Sequence, residues 1–499
     1  MRDPGATSRH ASGIARALSW GLVGMFVAPL GYLVWASLPW PLIHDAPIMH
    51  YLAWRIAEGA TPYRDLFDMN QPGLYAIHLA ILKLLGAGDL AWRLFDLAAL
   101  AAACAALAVY ARPWGRAAAA GSAALFAVYH LAGGAWQAGQ RDFLLCPLLV
   151  LGAASVASWI ERGSSASSLG WGGVLLGAAL TIKPHAALLA VLLAIVIAVA
   201  AWRRRALPKL VIFVVGVALA PAVALAWLVA RGAFSAWREV TFGYFVPVYT
   251  HLSGPERFVI YRWRVWIVIA VAVLLSITSA TWHRRFDARH GIAALGVGYG
   301  LVHFLGQGKG WEYQLYPLAA FAAVLAFSEV DLLMRARSFS FGVPIAASLV
   351  GIAILLTVKG GEAADAAWIW DKERLVRLVV SDLAARRRSG DLVQVLDTTA
   401  GGLHALLRLH AVQPTRFVYD FPLFQEVDEP VVRRFQAEFL RDLTAHPPRF
   451  IVVFERGWPR GTYDRVDSFP AFARWLERSY LVVAQRRDGY VIFAQRNDP

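Results

Sequence analysis

The chain has 499 residues, of which 58% are hydrophobic and 16% charged, with a mean hydropathy of +0.51. Soluble domains carry about 25% charged residues, so an ordinary soluble enzyme is excluded and a polytopic membrane protein is indicated. The net charge of +14 divides unevenly, with 28 Lys+Arg against 15 Asp+Glu in residues 1–359 and 20 against 19 in residues 360–499. The basic excess therefore lies between apolar runs, where it sets topology, and no nucleic-acid partner is expected.

In chain order, apolar runs long enough to span a bilayer fall near 17–38, 91–111, 116–134, 143–160, 168–182, 185–201, 210–230, 264–281, 291–307, 314–332 and 341–358. The first is too long for the apolar core of a signal peptide, and no small-residue cleavage site follows it. With the N-terminus inside, Arg2, Arg9 and Arg16, Arg112 and Arg116, Arg162, Arg203 to Arg205 with Lys209, Arg284, Arg285 and Arg289, and Arg335 with Arg337 all fall on one face. Lys and Arg collect in cytoplasmic loops, so eleven spans with the tail outside are expected.

That count requires "GLYAIHLAILKLLGAG" (73–88) not to cross. At about 1.5 Å per residue it reaches ~24 Å, short of the ~30 Å apolar core. Gln71-Pro72-Gly73 opens it as a helix, read as an amphipathic one on the outer interface. A short true span is the alternative.

Residues 360–499 read as a separate extracytoplasmic domain, leaving 1–359 as the membrane domain. "LVQVLD" (392–397), "RFVYD" (416–420), "RFIVVFE" (449–455) and "LVVAQRRDGYVIFAQR" (481–496) have strand periodicity,. "GGLHALLRLHAV", "PVVRRFQAEFLRDLTAH" and "FPAFARWLERSY" between them have helical periodicity,. The expected fold is an α-helical polytopic membrane protein carrying a small α/β domain with a largely parallel sheet. Asp397, Asp420 and Glu455 end three successive strands, where ligands bind in open sheets and where acids also cap helices,.

The long outer loops carry the candidate chemistry. Asp45, in "LPWPLIHDAP", and Asp142, in "QAGQRDFLLCPL", stand at the outer membrane boundary, where ionisable groups are costly and tend to be functional. For Asp142 the structural alternative is a pair with Arg141 that caps a helix. Lys183 interrupts two apolar runs in "TIKPHA", and Arg264 heads a span in "YRWRVW" beside Arg262, which reads as an interfacial snorkeller,. Lys309 lies between Gly308 and Gly310, with Trp311, Tyr313 and Tyr316 following. Glycines let backbone approach a ligand, and a fixed cation among rings suits a sugar-phosphate; a Trp/Tyr interfacial belt is the alternative. Tyr63 in the first loop joins these substrate-binding candidates. An acceptor hydroxyl needs a base and a departing lipid phosphate needs positive charge or a metal, so a divalent ion stays open. Nucleotide sugars are cytoplasmic, so an outward-facing site needs a membrane-embedded donor.

"HDAPIMHYLAWRIAEGATPYRDLFDMNQPGLY", "AWRLFDLAAL", "RDFLL", "TIKPHAALL" and "GKGWEYQLYPL" together resemble the polyprenyl-phosphate-sugar-dependent membrane glycosyltransferases of the C-type superfamily. The likeness is to protein O-mannosyltransferases and the aminoarabinose transferase of lipid A, over roughly residues 15–330. It implies inverting transfer from a polyprenyl-phosphate sugar at the outer face of a bacterial plasma membrane, with Asp45 catalytic. It further implies that Asp142 is the second acid, that Lys309 contacts donor phosphate, and that the first loop holds interfacial helices. The chain departs from the pattern at Ala46, where an acidic pair is common, and at Asn70-Gln71-Pro72. A transporter or flippase without transferase chemistry is the alternative, but transporters place ionisable residues near the bilayer midplane. Oligomeric state is not legible.

Overall fold

A computed structural model describes residues 4–254, 259–333, 339–365, 367–487 and 489–496. Arg2, Arg335 and Arg337 of the expected inner loops lie outside the described residues. The chain folds as two compact units, Met1–Trp40 with Trp92–Ala224 and Phe258–Ala366, and Pro41–Ala91 with Leu225–Arg257 and Ala367–Pro499. The tail thus shares a unit with the long first loop.

In the first unit a helix stands at every expected span. Among the described residues seven helical stretches are long and apolar enough to cross a membrane: Ala15–Ser37, Asp89–Trp114, Arg141–Arg162, Ala186–Arg203, Pro208–Ala230, Trp263–Trp282 and Ser340–Ala384. The last divides in two. Phe339–Ala364 is apolar, whereas Ala367–Ala384 carries six charged residues between Asp371 and Asp382 and belongs to the second unit. The other helices at expected spans have a physical reason to fall short. Arg116–Leu131, Ala166–Ile182 and Tyr316–Phe327 have 16, 17 and 12 residues, and Ala288–Gln307 includes Arg289, His290 and His303.

Tyr316–Phe327 is apolar all round and almost wholly buried, as a helix at the centre of a bundle should be. Ala166–Ile182 packs through its glycines: a Cβ on Gly173 would meet the Phe213 carbonyl at 2.3 Å, and one on Gly216 would meet the Gly170 carbonyl at 2.4 Å. Small residues allow this backbone approach where lipid offers no hydrophobic drive. Two cations expected in inner loops are paired: Arg289 holds Glu161 at 3.0 Å and Arg285 holds Glu329 at 2.7 Å.

In the second unit, helix Asp45–Ala57 packs on Pro72–Leu84 and on Gly402–Leu409. The 73–88 run accordingly forms a 13-residue helix that buries Leu74, Tyr75, His78 and Ile81 and exposes Lys83 and Leu84. Four strands, β1 (Val393–Leu396), β2 (Phe450–Phe454), β3 (Tyr480–Arg486) and β4 (Tyr490–Gln495), form one sheet in the order β1-β2-β4-β3. β1 and β2 run parallel, but β4 is antiparallel to both β2 and β3, which corrects the largely parallel sheet expected. The short turn from β3 to β4 permits only an antiparallel hairpin. A second correction concerns 416–420, which is not a strand. Phe417 makes an isolated bridge to Phe67 in the first loop, and the Phe67 amide donates to the Arg416 carbonyl at 2.7 Å. This backbone is drawn to the loop rather than the sheet, and Phe67, Phe417, Phe435 and Tyr244 close over it with ring centroids 5.1–5.5 Å apart.

Candidate functional site

Asp45, Glu58, Asp65 and Asp68 of the first loop do different work. Asp68 is fully buried and accepts hydrogen bonds from the Tyr75 hydroxyl (2.7 Å), the Tyr419 hydroxyl (3.0 Å), Asn70 Nδ2 (2.8 Å) and the Met69 amide (2.8 Å). It fastens the loop to the tail. Asp65 accepts from the Thr61 amide at 2.8 Å and pairs with Arg64. Glu58 is exposed at the helix end. Asp45 is set at a helix start, in the first turn of Asp45–Ala57, where the aligned peptide dipoles favour negative charge.

The residue before it is strained. His44 has φ 57° and ψ −121°, outside the left-handed basin, a conformation that costs a side-chain-bearing residue on the order of 1–3 kcal/mol and clusters at functional sites. Its ring lies 5.6 Å from that of Trp368, and its Nδ1 is 3.4 Å from Lys372 Nζ. Burial, with the Lys372 charge beside it, holds the His44 imidazole well below its ordinary pKa. Lys372 also donates to the Thr399 carbonyl at 2.9 Å. Burial lowers the Lys372 ammonium to about 8, against support from the Asp397 and Asp45 carboxylates. The cavity between these groups has a free volume of about 10 Å³, room for a single water at most.

Of the strand-end acids, Asp397 accepts from the amides of Ala400, Gly401 and Gly402 at 2.7–2.9 Å and so caps helix Gly402–Leu409. Asp420 accepts from Thr398 Oγ1 (2.7 Å) and pairs with Arg465 (2.9 Å).

Asp142 belongs to the first unit and is fully buried. Lys183 Nζ donates to both of its oxygens, at 2.8 and 2.7 Å, and His303 Nε2 lies 2.5 Å from Oδ1. The Arg141 pairing considered from the sequence is not what forms: the Arg141 guanidinium donates to the Tyr313 hydroxyl at 3.3 Å. Asp142 and Lys183 are therefore brought together, with His303, absent from the sequence reading, as the third member of a triad.

Lys309 is buried between Gly308 and Gly310, both at positive φ (57° and 69°), so the tight turn requires the two glycines. The Trp311 and Tyr313 rings stand 5.6 Å apart and Trp136 lies 5.9 Å from Tyr313. Tyr316 is wholly buried with its hydroxyl 2.7 Å from His130 Nδ1. Tyr63 is buried and donates to the Asn70 carbonyl at 2.6 Å. Arg264 is exposed against the ring of Trp263. Arg262 corrects the snorkelling expectation: it is buried, stacks 4.5 Å over Tyr129 and is ion-paired with Glu312. A buried guanidinium needs a carboxylate, and Glu312 in the Lys309 loop supplies it.

Among the described residues no three His, Cys, Asp or Glu side chains converge as metal ligands.

No protein-family model matches the chain. No curated protein matches it in sequence. Solved structures do. ArnT from Cupriavidus metallidurans bound to undecaprenyl phosphate superposes with a TM-score of 0.62 at 15% identity, covering 95% of this chain and 98% of that one. The apo form of the same protein gives 0.57 at 14% identity. The Archaeoglobus fulgidus oligosaccharyltransferase in complex with Zn and sulfate gives 0.52 at 11%, covering 96% of this chain and 73% of its own. At these identities the likeness is one of fold, and the chain has, along nearly its whole length, the multi-span helical membrane fold that these proteins share.

Proposed function

We propose that the chain is an integral-membrane glycosyltransferase that moves a sugar from a polyprenyl-phosphate donor to an extracytoplasmic acceptor, with inversion. The observation that carries this reading is the fold match over 95% of the chain to ArnT bound to undecaprenyl phosphate. The setting of Asp45, at a helix start behind a strained residue, supports it as the base. The distribution of basic residues supports eleven crossings with the tail on the outer side, and the reading places the chain in a bacterial plasma membrane.

In this reading Asp45 takes the proton of the acceptor hydroxyl. The oxygen attacks the anomeric carbon as the carbon–oxygen bond to phosphate breaks, and the polyprenyl phosphate departs as an anion. One displacement inverts the anomeric centre. Developing charge on the phosphate calls for a preorganised cation; Lys309, held by its two glycines beside Trp311 and Tyr313, is assigned that role. Asp142, in helix Arg141–Arg162, and Lys183, at the end of helix Ala166–Ile182, are assigned to holding those two helices together.

The test is transfer from a radiolabelled polyprenyl-phosphate sugar by the purified protein in nanodiscs, with extracted envelope glycans, lipids and proteins as acceptors. Label should move to one acceptor class with the native chain and not with Asp45→Asn. Label that instead crosses a sealed liposome unaltered would identify a transporter.

A further inference from the structure

The first helix after the last apolar span carries Trp368 and Lys372 four residues apart, hence on one face. Both reach the same point. The Trp368 ring packs 5.6 Å from the His44 ring, and Lys372 Nζ lies 3.4 Å from His44 Nδ1 while donating to the Thr399 carbonyl at 2.9 Å. His44 is the residue at φ 57° and ψ −121° immediately before Asp45. Such a conformation persists only where its surroundings over-determine it.

The charges around Lys372 come from several elements. Asp397, from the end of β1, is already engaged by three backbone amides. Glu373 on the same helix is held by Arg408 at 2.8 Å. Arg456, from the loop after β2, opposes the ammonium. Burial keeps His44 neutral and takes His404, which lines the same cavity, down to about 3. Asp397 and, after it, Asp45 are the carboxylates that support the charged lysine, and Asp45 directly follows the His44 that Trp368 and Lys372 contact.

We propose that Lys372 is a positioning residue for Asp45: with Trp368 it clamps the strained turn and aims the carboxylate, so the tail forms part of the catalytic apparatus. This rests on the transferase reading above. The lysine acts through Asp45 and its backbone, without touching substrate. A base misplaced by about 1 Å loses on the order of 10²-fold in rate, which sets the size of the effect.

The full-length protein in nanodiscs decides it by two readouts. In transfer kinetics, Lys372→Met should lower kcat about 10²-fold with the donor KM unchanged. The native alkaline limb, expected near pH 8 where the ammonium is lost, should vanish. Lys372→Arg, charged throughout, should restore much of kcat and keep activity above pH 9. The second readout is independent of transfer. Trace acetylation of Lys372 with acetic anhydride, followed across pH by mass spectrometry, should show a midpoint near 8 in the native chain and a lower one in Asp45→Asn.

An unchanged midpoint in Asp45→Asn overturns the proposal, as does a Lys372→Met protein with native kcat and pH profile. Absence of transfer by the native chain strikes the transferase reading alone, because the acetylation midpoint still reports the coupling. Should Lys372→Met fail to fold, the same midpoint decides.

Discussion

Asp45 and Asp142 look alike in the sequence, each a single acid beside an apolar run, and the structure separates them. Asp142 sits in the helical unit with no exposed surface, both oxygens held by Lys183 and one also by His303. Asp45 lies half-buried in the unit that joins the first loop to the tail, after a strained residue and beside a lysine of lowered pKa. A carboxylate enclosed by a lysine and a histidine is suited to fastening helices. One at a helix start with a reachable face is suited to moving a proton. The difference lies in what surrounds each acid, and the local sequence records little of it.

The contrast can be broken by mutation. The largest effect is expected at Asp45→Asn, which should cost about 10³-fold in transfer rate, within the range of general-base catalysis, with thermal unfolding in detergent unchanged. Lys183→Met should do the reverse. Leaving Asp142 buried without its ammonium should cost about 3–5 kcal/mol, seen as a lower Tm, and Asp142→Asn added to it should recover part of the loss. A Lys183→Met protein with native Tm but no activity would move the triad from scaffold to chemistry.

Asp68→Ala should destabilise the second unit by about 2–3 kcal/mol, because the Tyr75, Tyr419 and Asn70 donors lose their acceptor together. Faster amide exchange confined to the first loop and residues 416–421 is the readout. The smallest effect is expected at Arg264→Ala, within about twofold in donor KM, since an exposed cation over a neighbouring ring contributes ~0.5–1 kcal/mol. A tenfold rise would return Arg264 to the donor site.

Much of the architecture is legible because bilayer spanning is written in composition. Every apolar run of the expected length forms a helix, and the short 73–88 run lies largely in the 13-residue helix Pro72–Leu84. The tail's β1, β2 and the β3–β4 hairpin follow from period-2 alternation. The mixed sheet and the irregular 416–420 segment are not legible, because strand pairing is a non-local choice: Phe417 pairs with Phe67, some 350 residues earlier in the chain. At the site, single acids and the glycine-flanked Lys309 can be picked out by type and place. Their partners cannot, since His303 lies 161 residues from Asp142 and Lys372 lies 328 from His44. Arg262 defeats a local reading for the same reason, its carboxylate standing in another loop.

Hydrophobic length, the placement of positive charge and strand periodicity, all properties of contiguous residues, were enough to specify a membrane-embedded helical chain with a tail of helices and strands. Which carboxylate is enclosed by a lysine and a histidine, and which stands at a strained helix start, was decided only when distant segments packed. Desolvation and hydrogen-bond pairing depend on neighbours in space, and burial has no counterpart in the order of residues.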